Sequence, residues 1–213
     1  MNTASGTPPV SLRRHGAADT AALLDTLTDI WADAHSGNHD VALAGFTPDT
    51  LRRQITSHTR HERFTLIVAS AAGHDIGFAY GFRCTPAYWF GAQLLPTITP
   101  QARTTTALAG ICELAVRTHR QGQGVGTHLH TALLEVLHAE WASLLAMPGD
   151  RPARRLYERL GYRYAGPYHP GPDLPVLDLL LLRNTDMTPH RTETEPTKRH
   201  GQNPRQPRNP GAA

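Results

Sequence analysis

Two adjoining stretches in the middle of the chain carry different patterns of hydrophobic and polar residues. Residues 111–116 form an apolar run with the alternation of a β-strand. The turn that follows is basic and holds Gly122, Gly124 and Gly126. Beyond it, apolar residues recur about every 3.6 positions, as in an amphipathic helix; they are Val125, Leu129, Leu133, Val136 and Leu137. The pattern predicts a strand, a glycine-rich turn and a helix in direct succession.

The start of the predicted helix has the properties of an anion-binding site. A helix N-terminus leaves about four backbone N–H groups without partners and carries a partial positive charge. Glycine lacks the Cβ atom that would keep a phosphate away from those N–H groups. The turn at residues 121–127 therefore predicts a cradle for a pyrophosphate.

The part of the chain before this unit predicts one strand, two helices and a hairpin. The strand lies near residues 10–14, and helical spacing extends over residues 17–35. A second helix is expected from Thr47, which can cap it, to about residue 61. Two β-rich runs at residues 64–71 and 75–82 are separated by a short turn and predict a hairpin.

Residues 83–107 show no regular pattern. They contain Pro86, Pro96 and Pro100 and the aromatic run 88–90. We expect an irregular insert between two strands. It forms either part of a pocket wall or lid, or a packed surface loop.

The end of the domain predicts a strand, a helix and two closing strands. The strand lies at residues 142–147, and the helix begins near Asp150 and ends at Gly161. The closing strands are expected at residues 163–165 and 176–183. The order of elements predicts a mixed α+β fold with a partly parallel central sheet.

Length and composition predict one domain over residues 1–183. Residues 184–213 are rich in Pro, Thr, Arg, Asn and Gly, with almost no large apolar side chain. Such a segment cannot bury a core, so we expect a disordered, basic C-terminal tail.

Charge and hydropathy narrow the possible partners. Residues 1–183 contain 16 Lys and Arg against 15 Asp and Glu, without the basic stripe of a protein that binds a nucleic acid duplex. No run approaches the ~20 apolar residues of a membrane span, and the N-terminus lacks the apolar core of a secretory signal. We therefore expect a cytoplasmic protein with no nucleic-acid or membrane partner, in which Cys84 and Cys112 are reduced and buried. The thirteen His residues lack the companions of a metal site, so no metal is predicted.

The glycine-rich turn resembles motif A of the GNAT N-acetyltransferase superfamily, Gln/Arg-x-x-Gly-x-Gly/Ala. Gln121, Gly124 and Gly126 occupy its three fixed positions. The later segment DRPARRLYERLGY resembles motif B, commonly N-x-x-A-x-x-x-Y-x-x-x-G-F. Its matching residues are Ala153, Tyr157 and Gly161, with Asp150 where Asn is common and Tyr162 in place of Phe. The two motifs have the expected separation, with a strand between them.

The resemblance implies a GNAT-like fold in which two parallel strands splay apart, and acetyl-coenzyme A as the donor. The pantetheine arm would pair with the main chain near residues 114–116, and the pyrophosphate would lie on the N–H groups of residues 121–127. Arg117 and Arg120 flank the turn and either assist electrostatically or are solvated. The residues implied in cofactor binding are Leu114, Ala115, Val116, Gln121, Gly122, Gln123, Gly124, Val125, Gly126, Thr127, Asp150 and Ala153.

Two residues are candidates for proton transfer. An alkylamine has a pKa near ~10.4, so its deprotonation at pH 7 costs roughly 4–5 kcal/mol. Glu113 interrupts an apolar strand, on the face opposite Cys112, Leu114 and Val116 by strict alternation, and the resemblance implies that it is the general base. Its alternative role is a structural pair with an Arg. The resemblance also implies that Tyr157 protonates the leaving thiolate; its alternative role is core packing.

The activity predicted is transfer of an acetyl group to a primary amine on a small molecule or peptide. Trp31, Asp33, Tyr88 and Trp89 are candidates for the acceptor pocket, and a homodimer is possible. One alternative is a non-catalytic acyl-coenzyme A-binding or regulatory module on the same fold. A weaker one is an NAD-dependent oxidoreductase, whose third small residue is missing from the glycine motif.

Overall fold

The computed structural model describes residues 8–37, 45–148, 151–169 and 174–184. Within them, seven strands form one sheet in the order β1-β2-β3-β4-β5-β7-β6, with helices on both faces. The predicted α+β class is therefore confirmed. The elements are β1 (Val10–His15), α1 (Ala17–Ala34), α2 (Pro48–His58), β2 (Thr65–Ala71), β3 (His74–Cys84), α3 (Pro86–Leu94), α4 (Pro100–Thr104), β4 (Leu108–Val116), α5 (Val125–Leu137), β5 (Trp141–Ala146), α6 (Arg151–Arg159), β6 (Arg163–Tyr168) and β7 (Leu177–Arg183), with 3-10 turns at Leu95–Thr97 and Thr118–Arg120.

The sheet opens in its middle, between β4 and β5. Neighbouring strands pair antiparallel elsewhere, but β4 and β5 run parallel and pair over three residues each, 108–110 with 141–143. Beyond Gly110 the two strands diverge, so residues 111–116 pair with β3 on one side only. The predicted splay between parallel strands is confirmed.

Helices bury their apolar faces on opposite sides of the sheet. Val125, Leu129, Leu133 and Leu137 of α5 are buried against one face, as their spacing predicts, while Val136 is partly buried. Helices α1 and α2 cover the other face, where Phe78, Tyr80 and Phe82 project from alternate positions of β3. We call the two sides of the sheet the α5 face and the α1 face.

A β-bulge in β4 changes the orientation of one predicted residue. Ile111 pairs with Gly81 and Glu113 pairs with the adjacent Tyr80, so Cys112 is an extra residue in β4. As a result Cys112 and Glu113 both lie on the α1 face. The expectation that alternation separates these two side chains was wrong, because a bulge interrupts the period of two. Leu114 does lie on the opposite, α5 face.

The predicted irregular insert at residues 83–107 is helical. Thr85 caps α3 by accepting a hydrogen bond from the Tyr88 N–H at 3.2 Å, and Pro86 begins the helix. Pro100 begins α4 in the same way. Proline suits the first helical turn because N–H groups there have no partner within the helix, so the N–H that proline lacks is not missed by the helix. The expectation of an irregular insert was wrong for residues 86–97 and 100–104. The helices bury a third apolar cluster, which includes Phe90, Leu94, Ile98 and Ala102.

Helix α6 ends as its sequence predicts. Gly161 has a φ of +92°, the Gly161 N–H donates to the Glu158 carbonyl oxygen, and the Tyr162 N–H donates to that of Tyr157. These two bonds form a Schellman motif, in which glycine takes the left-handed conformation. Asp150, the predicted N-cap, and the predicted tail beyond Asn184 lie outside the described residues.

Two further expectations were that both cysteines are reduced and buried and that no segment spans a membrane. Cys84 and Cys112 are free thiols, each partly buried. Among the described helices, none is both long and apolar enough to cross a bilayer.

Candidate active site

A cleft of about 660 Å³ lies where β4 separates from β5. Four segments line it: the end of α1 and the following turn (34–37), the end of β4 (114–116), the glycine-rich turn (120–127) and α6 (152–159). A volume of this size is ordinary for a site that binds a small molecule or cofactor.

The glycine-rich turn presents open backbone to the cleft. Gly122 and Gly124 have φ values of +74° and +83°, which side chains disfavour, and no atom lies within 4 Å of where a Cβ would be. Gly124 is the N-cap of α5, and no side chain among the described residues caps this helix. The N–H groups of the first turn of α5 are therefore available to an anion.

Glycine is needed at position 126 for a different structural reason than at positions 122 and 124. A Cβ at this position would lie 3.2 Å from Leu156 and 3.5 Å from Leu114. Glycine here lets the first turn of α5 pack closely on α6 and β4. The residue still lines the cleft.

Two predicted cofactor-binding residues use polar groups in hydrogen bonds within the protein, and a third has a buried side chain. The Gln121 N–H donates to the Thr118 carbonyl oxygen at 3.2 Å, and its side-chain amide donates to the Val116 carbonyl oxygen at 3.0 Å. Gln123 is exposed and turns back on the preceding 3-10 turn, whereas Val125 is buried in the core. The expected row of available N–H groups at 121–127 thus begins at residue 122.

The cleft is lined by positive and not by negative side chains. Its described lining residues include Arg120, Arg155 and Arg159 and no Asp or Glu. Arg120 Nε is buried with no hydrogen-bond partner among the described residues. A buried donor without a partner is costly, so a ligand with anionic oxygens fits this position.

Arg117 and Asp33 hold the site together from outside the cleft. The Arg117 guanidinium donates to Asp29 at 2.6 Å and to the Asp75 carbonyl oxygen at 3.0 Å. Asp33 accepts the Thr118 N–H at 2.8 Å. These bonds tie α1 to the turn after β4, which accounts for both side chains without a ligand.

The remaining cofactor-binding candidates lie at the cleft wall. Leu114, Ala115, Val116, Thr127 and Ala153 line it. No strand pairs with the first three on the cleft side, because β5 does not pair with β4 beyond Gly110. The Leu114 N–H and the Val116 carbonyl oxygen are nevertheless hydrogen-bonded, to Glu113 and to Gln121. Asp150 lies outside the described residues, so its predicted contribution remains an expectation.

Glu113 is held on the α1 face by two hydrogen bonds. Its Oε2 accepts the indole N–H of Trp31 at 3.1 Å, and its Oε1 accepts the Leu114 N–H at 3.2 Å. Burial raises the pKa of the carboxyl above its ordinary value, while the nearby His35 and the two hydrogen bonds act in the opposite direction. A carboxylate whose pKa is raised is a stronger proton acceptor.

Tyr157 lies between the cleft and the core. It lines the cleft from α6, and its ring meets the ring of Tyr162 at a centroid distance of 5.6 Å. Tyr162 in turn shares a hydrogen bond of 2.9 Å with His130. The geometry thus accommodates both the predicted role at the thiolate and the alternative of core packing.

Several site residues were not among those predicted from the sequence. His35 ends α1, lines the cleft and stacks on Trp31 at a centroid distance of 4.4 Å. Arg155 and Arg159 are one helical turn apart in motif B, a spacing that would have indicated a common face. The contact between Trp31 and Glu113 spans 82 residues of sequence and depends on the fold.

Comparison with known proteins agrees with this geometry. The model of the acetyltransferase (GNAT) family matches residues 24–162, so the chain belongs to that family. It is therefore an acyltransferase, which sets the oxidoreductase alternative aside. No curated protein sequence matches the chain significantly.

Solved structures with low sequence identity share the fold. PH1933 from Pyrococcus horikoshii OT3 is 20% identical, with a TM-score of 0.58 over 82% of this chain and 98% of its own. A phosphinothricin acetyltransferase from Sinorhizobium meliloti in complex with AcCoA is 20% identical, with a TM-score of 0.55 over 82% and 88%. A PaiA N-acetyltransferase from Thermoplasma acidophilum in complex with coenzyme A is 10% identical, with a TM-score of 0.53 over 82% and 99%.

The described residues contain no group of three or more His, Cys, Asp or Glu side chains that could hold a metal ion.

Proposed function

We propose that the chain transfers an acetyl group from acetyl-coenzyme A to a primary amine. The observation that carries the proposal is the cleft itself, where open glycine backbone at a helix N-terminus meets three arginines and an unpaired strand edge. The N–H groups at the start of α5 and the Arg120 guanidinium would bind the pyrophosphate. The strand edge at residues 114–116, which β5 leaves unpaired, would bind the amides of the pantetheine arm.

Glu113 removes the proton that the attacking amine must lose. Glu113 accepts the proton of the substrate ammonium, directly or through a water, and the neutral amine nitrogen then attacks the thioester carbon. As the new C–N bond forms and the C–S bond breaks, the second proton leaves the nitrogen for solvent. The two hydrogen-bond donors to Glu113 favour the ionised carboxylate and so oppose the effect of burial on its pKa.

Tyr157 completes the proton balance. As the C–S bond breaks, its hydroxyl donates a proton to the departing sulfur, so that the products are an amide and a thiol. Return of the Glu113 proton to solvent and reprotonation of Tyr157 restore the enzyme.

Binding and turnover test the proposal. Acetyl-coenzyme A at ~100 times its dissociation constant should stabilise the wild type by roughly 2.7 kcal/mol. Gly124→Glu places a side chain and a negative charge in the cradle, so this variant should fold but lose the ligand-induced shift in melting temperature. Thiol release with a panel of amines reports transfer. Coenzyme A binding without turnover of any amine would instead support the non-catalytic module.

The pH dependence of turnover distinguishes the proposed roles of Glu113 and Tyr157. Glu113→Gln should lower turnover about 10²–10⁴-fold near neutrality, and this loss should shrink as the pH approaches the pKa of the amine. Tyr157→Phe should leave coenzyme A affinity nearly unchanged, with a defect in turnover that persists at high pH. Equal, pH-independent losses would show that both residues are structural and that proximity carries the rate.

A further inference from the structure

A cluster of aromatic and imidazole rings lies on the α1 face beside Glu113. We call His61, Phe82, Tyr88 and Trp89 the aromatic wall. His61 stacks on Phe82 with centroids 4.0 Å apart and an interplanar angle of 10°. The Tyr88 hydroxyl shares a 2.9 Å hydrogen bond with His61 Nε2, and the Phe82 ring meets Tyr88 and Trp89 edge-on at 6.2 Å. Tyr88 is 56% exposed, so the wall presents a ring to solvent.

The sheet fixes the wall next to the carboxylate. Tyr80 pairs with Glu113, and Phe82, two residues along the same face of β3, pairs with Gly110. Two residues of strand span about 7 Å. Trp89 lies directly over Gly110, where a Cβ atom would overlap its ring. The glycine therefore allows α3 to bring its aromatic residues down onto the strand that carries Glu113.

The groups beneath the wall are uncharged at neutral pH. Burial lowers the pKa of His58, which is hydrogen-bonded to the Tyr80 hydroxyl at 3.2 Å, to about 4. Burial raises the pKa of Cys84 to about 12 and that of Cys112 well above its ordinary value. Glu113 thus lies beside a surface made mostly of aromatic rings.

We propose that the acceptor is an arylalkylamine, a primary amine joined by a short alkyl tether to an aromatic ring. The ring packs on Tyr88 and Trp89 of the wall, and the amine reaches Glu113. This inference rests on the proposed acetyltransfer and specifies its acceptor; the product is the N-acetyl arylalkylamide. Aromatic pairs in offset or edge-on geometry supply the selectivity for the ring. A polyamine has no ring to pack on Tyr88 and Trp89.

A set of matched amines tests the class of acceptor. The probes are 2-phenylethylamine, 2-cyclohexylethylamine, ethylamine, spermidine and a peptide with a free N-terminal alanine, each measured by thiol release. We expect the highest kcat/KM for 2-phenylethylamine, several-fold above the cyclohexyl amine, which is apolar but cannot stack. A higher kcat/KM for spermidine or for the peptide would overturn the inference while leaving acetyltransfer intact.

A matched pair of variants tests the wall itself. Tyr88→Ala should lower kcat/KM about tenfold for 2-phenylethylamine and less than twofold for ethylamine. Tyr164→Ala is the control, because Tyr164 is also exposed (55%) but lies on β6, the edge strand at the far end of the sheet. Equal losses for both amines in Tyr88→Ala would overturn the inference.

A binding measurement distinguishes failure of the proposed acetyltransfer from failure of the proposed acceptor class. Titration of 2-phenylethylamine into the protein loaded with coenzyme A should show saturable binding that Tyr88→Ala weakens. If this binding occurs without acetylation of any amine, the proposed acetyltransfer is refuted, but the inference that the aromatic wall binds arylalkylamines is supported. If the amine does not bind and other amines are acetylated, only the present inference fails.

Discussion

Removal of the indole N–H from Trp31 should change the pH at which the enzyme becomes active. Trp31→Phe deletes one of the two hydrogen bonds that the Glu113 carboxylate accepts and leaves the Leu114 N–H in place. A hydrogen bond to the charged form of an acid lowers its pKa. Without the indole donor, the pKa of Glu113, which burial already raises, should rise further.

The size of the shift follows from the bond that is lost. A hydrogen bond to a charged group contributes about 1.5–3 kcal/mol, and one pKa unit corresponds to about 1.36 kcal/mol, so a rise of about one to two units is expected. The N–O distance of 3.1 Å is longer than is usual for a charge-assisted bond. We therefore expect the lower end, about one unit.

The pH profile of kcat/KM measures this shift through thiol release. The acidic limb should move upward by about one unit in Trp31→Phe, with roughly tenfold lower activity below the limb and nearly equal activity on the alkaline plateau. Trp141→Phe is the control, because its indole nitrogen has no hydrogen-bond partner among the described residues. That variant should keep the wild-type limb.

Two results would refute the reasoning. An unchanged acidic limb in Trp31→Phe would mean that Glu113 does not set it or that the indole does not stabilise the carboxylate. A loss of activity that is the same at every pH would mean that Trp31 acts only through packing. Loss of folded protein alone lowers the amplitude of the profile and does not move the limb.

Two predictions concern the stability of the fold. His130 is buried, and burial lowers its pKa from the ordinary 6.5 to about 4. Between these two pH values the unfolded chain binds the proton more readily than the folded chain does. The free energy of unfolding should therefore fall as the pH drops, by up to about 3 kcal/mol. Urea unfolding at pH 7 and at about pH 4.5 should show a smaller pH effect in His130→Gln; an equal effect would contradict the assignment to His130. A chain that ends at Asn184 keeps the hydrogen bond from its N–H to the Glu140 carbonyl oxygen, and its melting temperature should stay within about two degrees of the full chain. A larger drop would mean that residues 185–213 pack on the domain.

Local patterns predicted most of the elements because the forces that form them are local. The Gly124 turn, the apolar face of α5 and the Gly161 C-cap each depend on residues within a few positions of one another. The same rules misassigned residues 83–107, where Pro86 and Pro100 start helices and apolar residues bury a cluster of their own. Proline both begins and ends helices, and only the burial of the following residues distinguishes the two cases.

The candidate site depended on contacts that no local pattern contains. The face on which Cys112 lies follows from a bulge, and a bulge is a property of the pairing between β3 and β4. The donors to Glu113 and the role of Arg117 as a tie between α1 and the start of β3 likewise join distant segments. The resemblance in motifs A and B located the cleft, whereas the interactions that surround it required the three-dimensional structure.

The opening between β4 and β5 creates an edge in the interior of the sheet. No strand pairs with residues 111–116 on the β5 side, as at the outside of a sheet, yet residues 114–116 line a cleft together with residues of α5 and α6. A peripheral edge is open to strands from other molecules and invites aggregation. A recessed edge is shielded from other strands by the elements that line the cleft with it. Recognition there would use main-chain atoms, which alanine scanning does not remove; replacement of an amide by an ester in the backbone of β4 is the change that would reveal it.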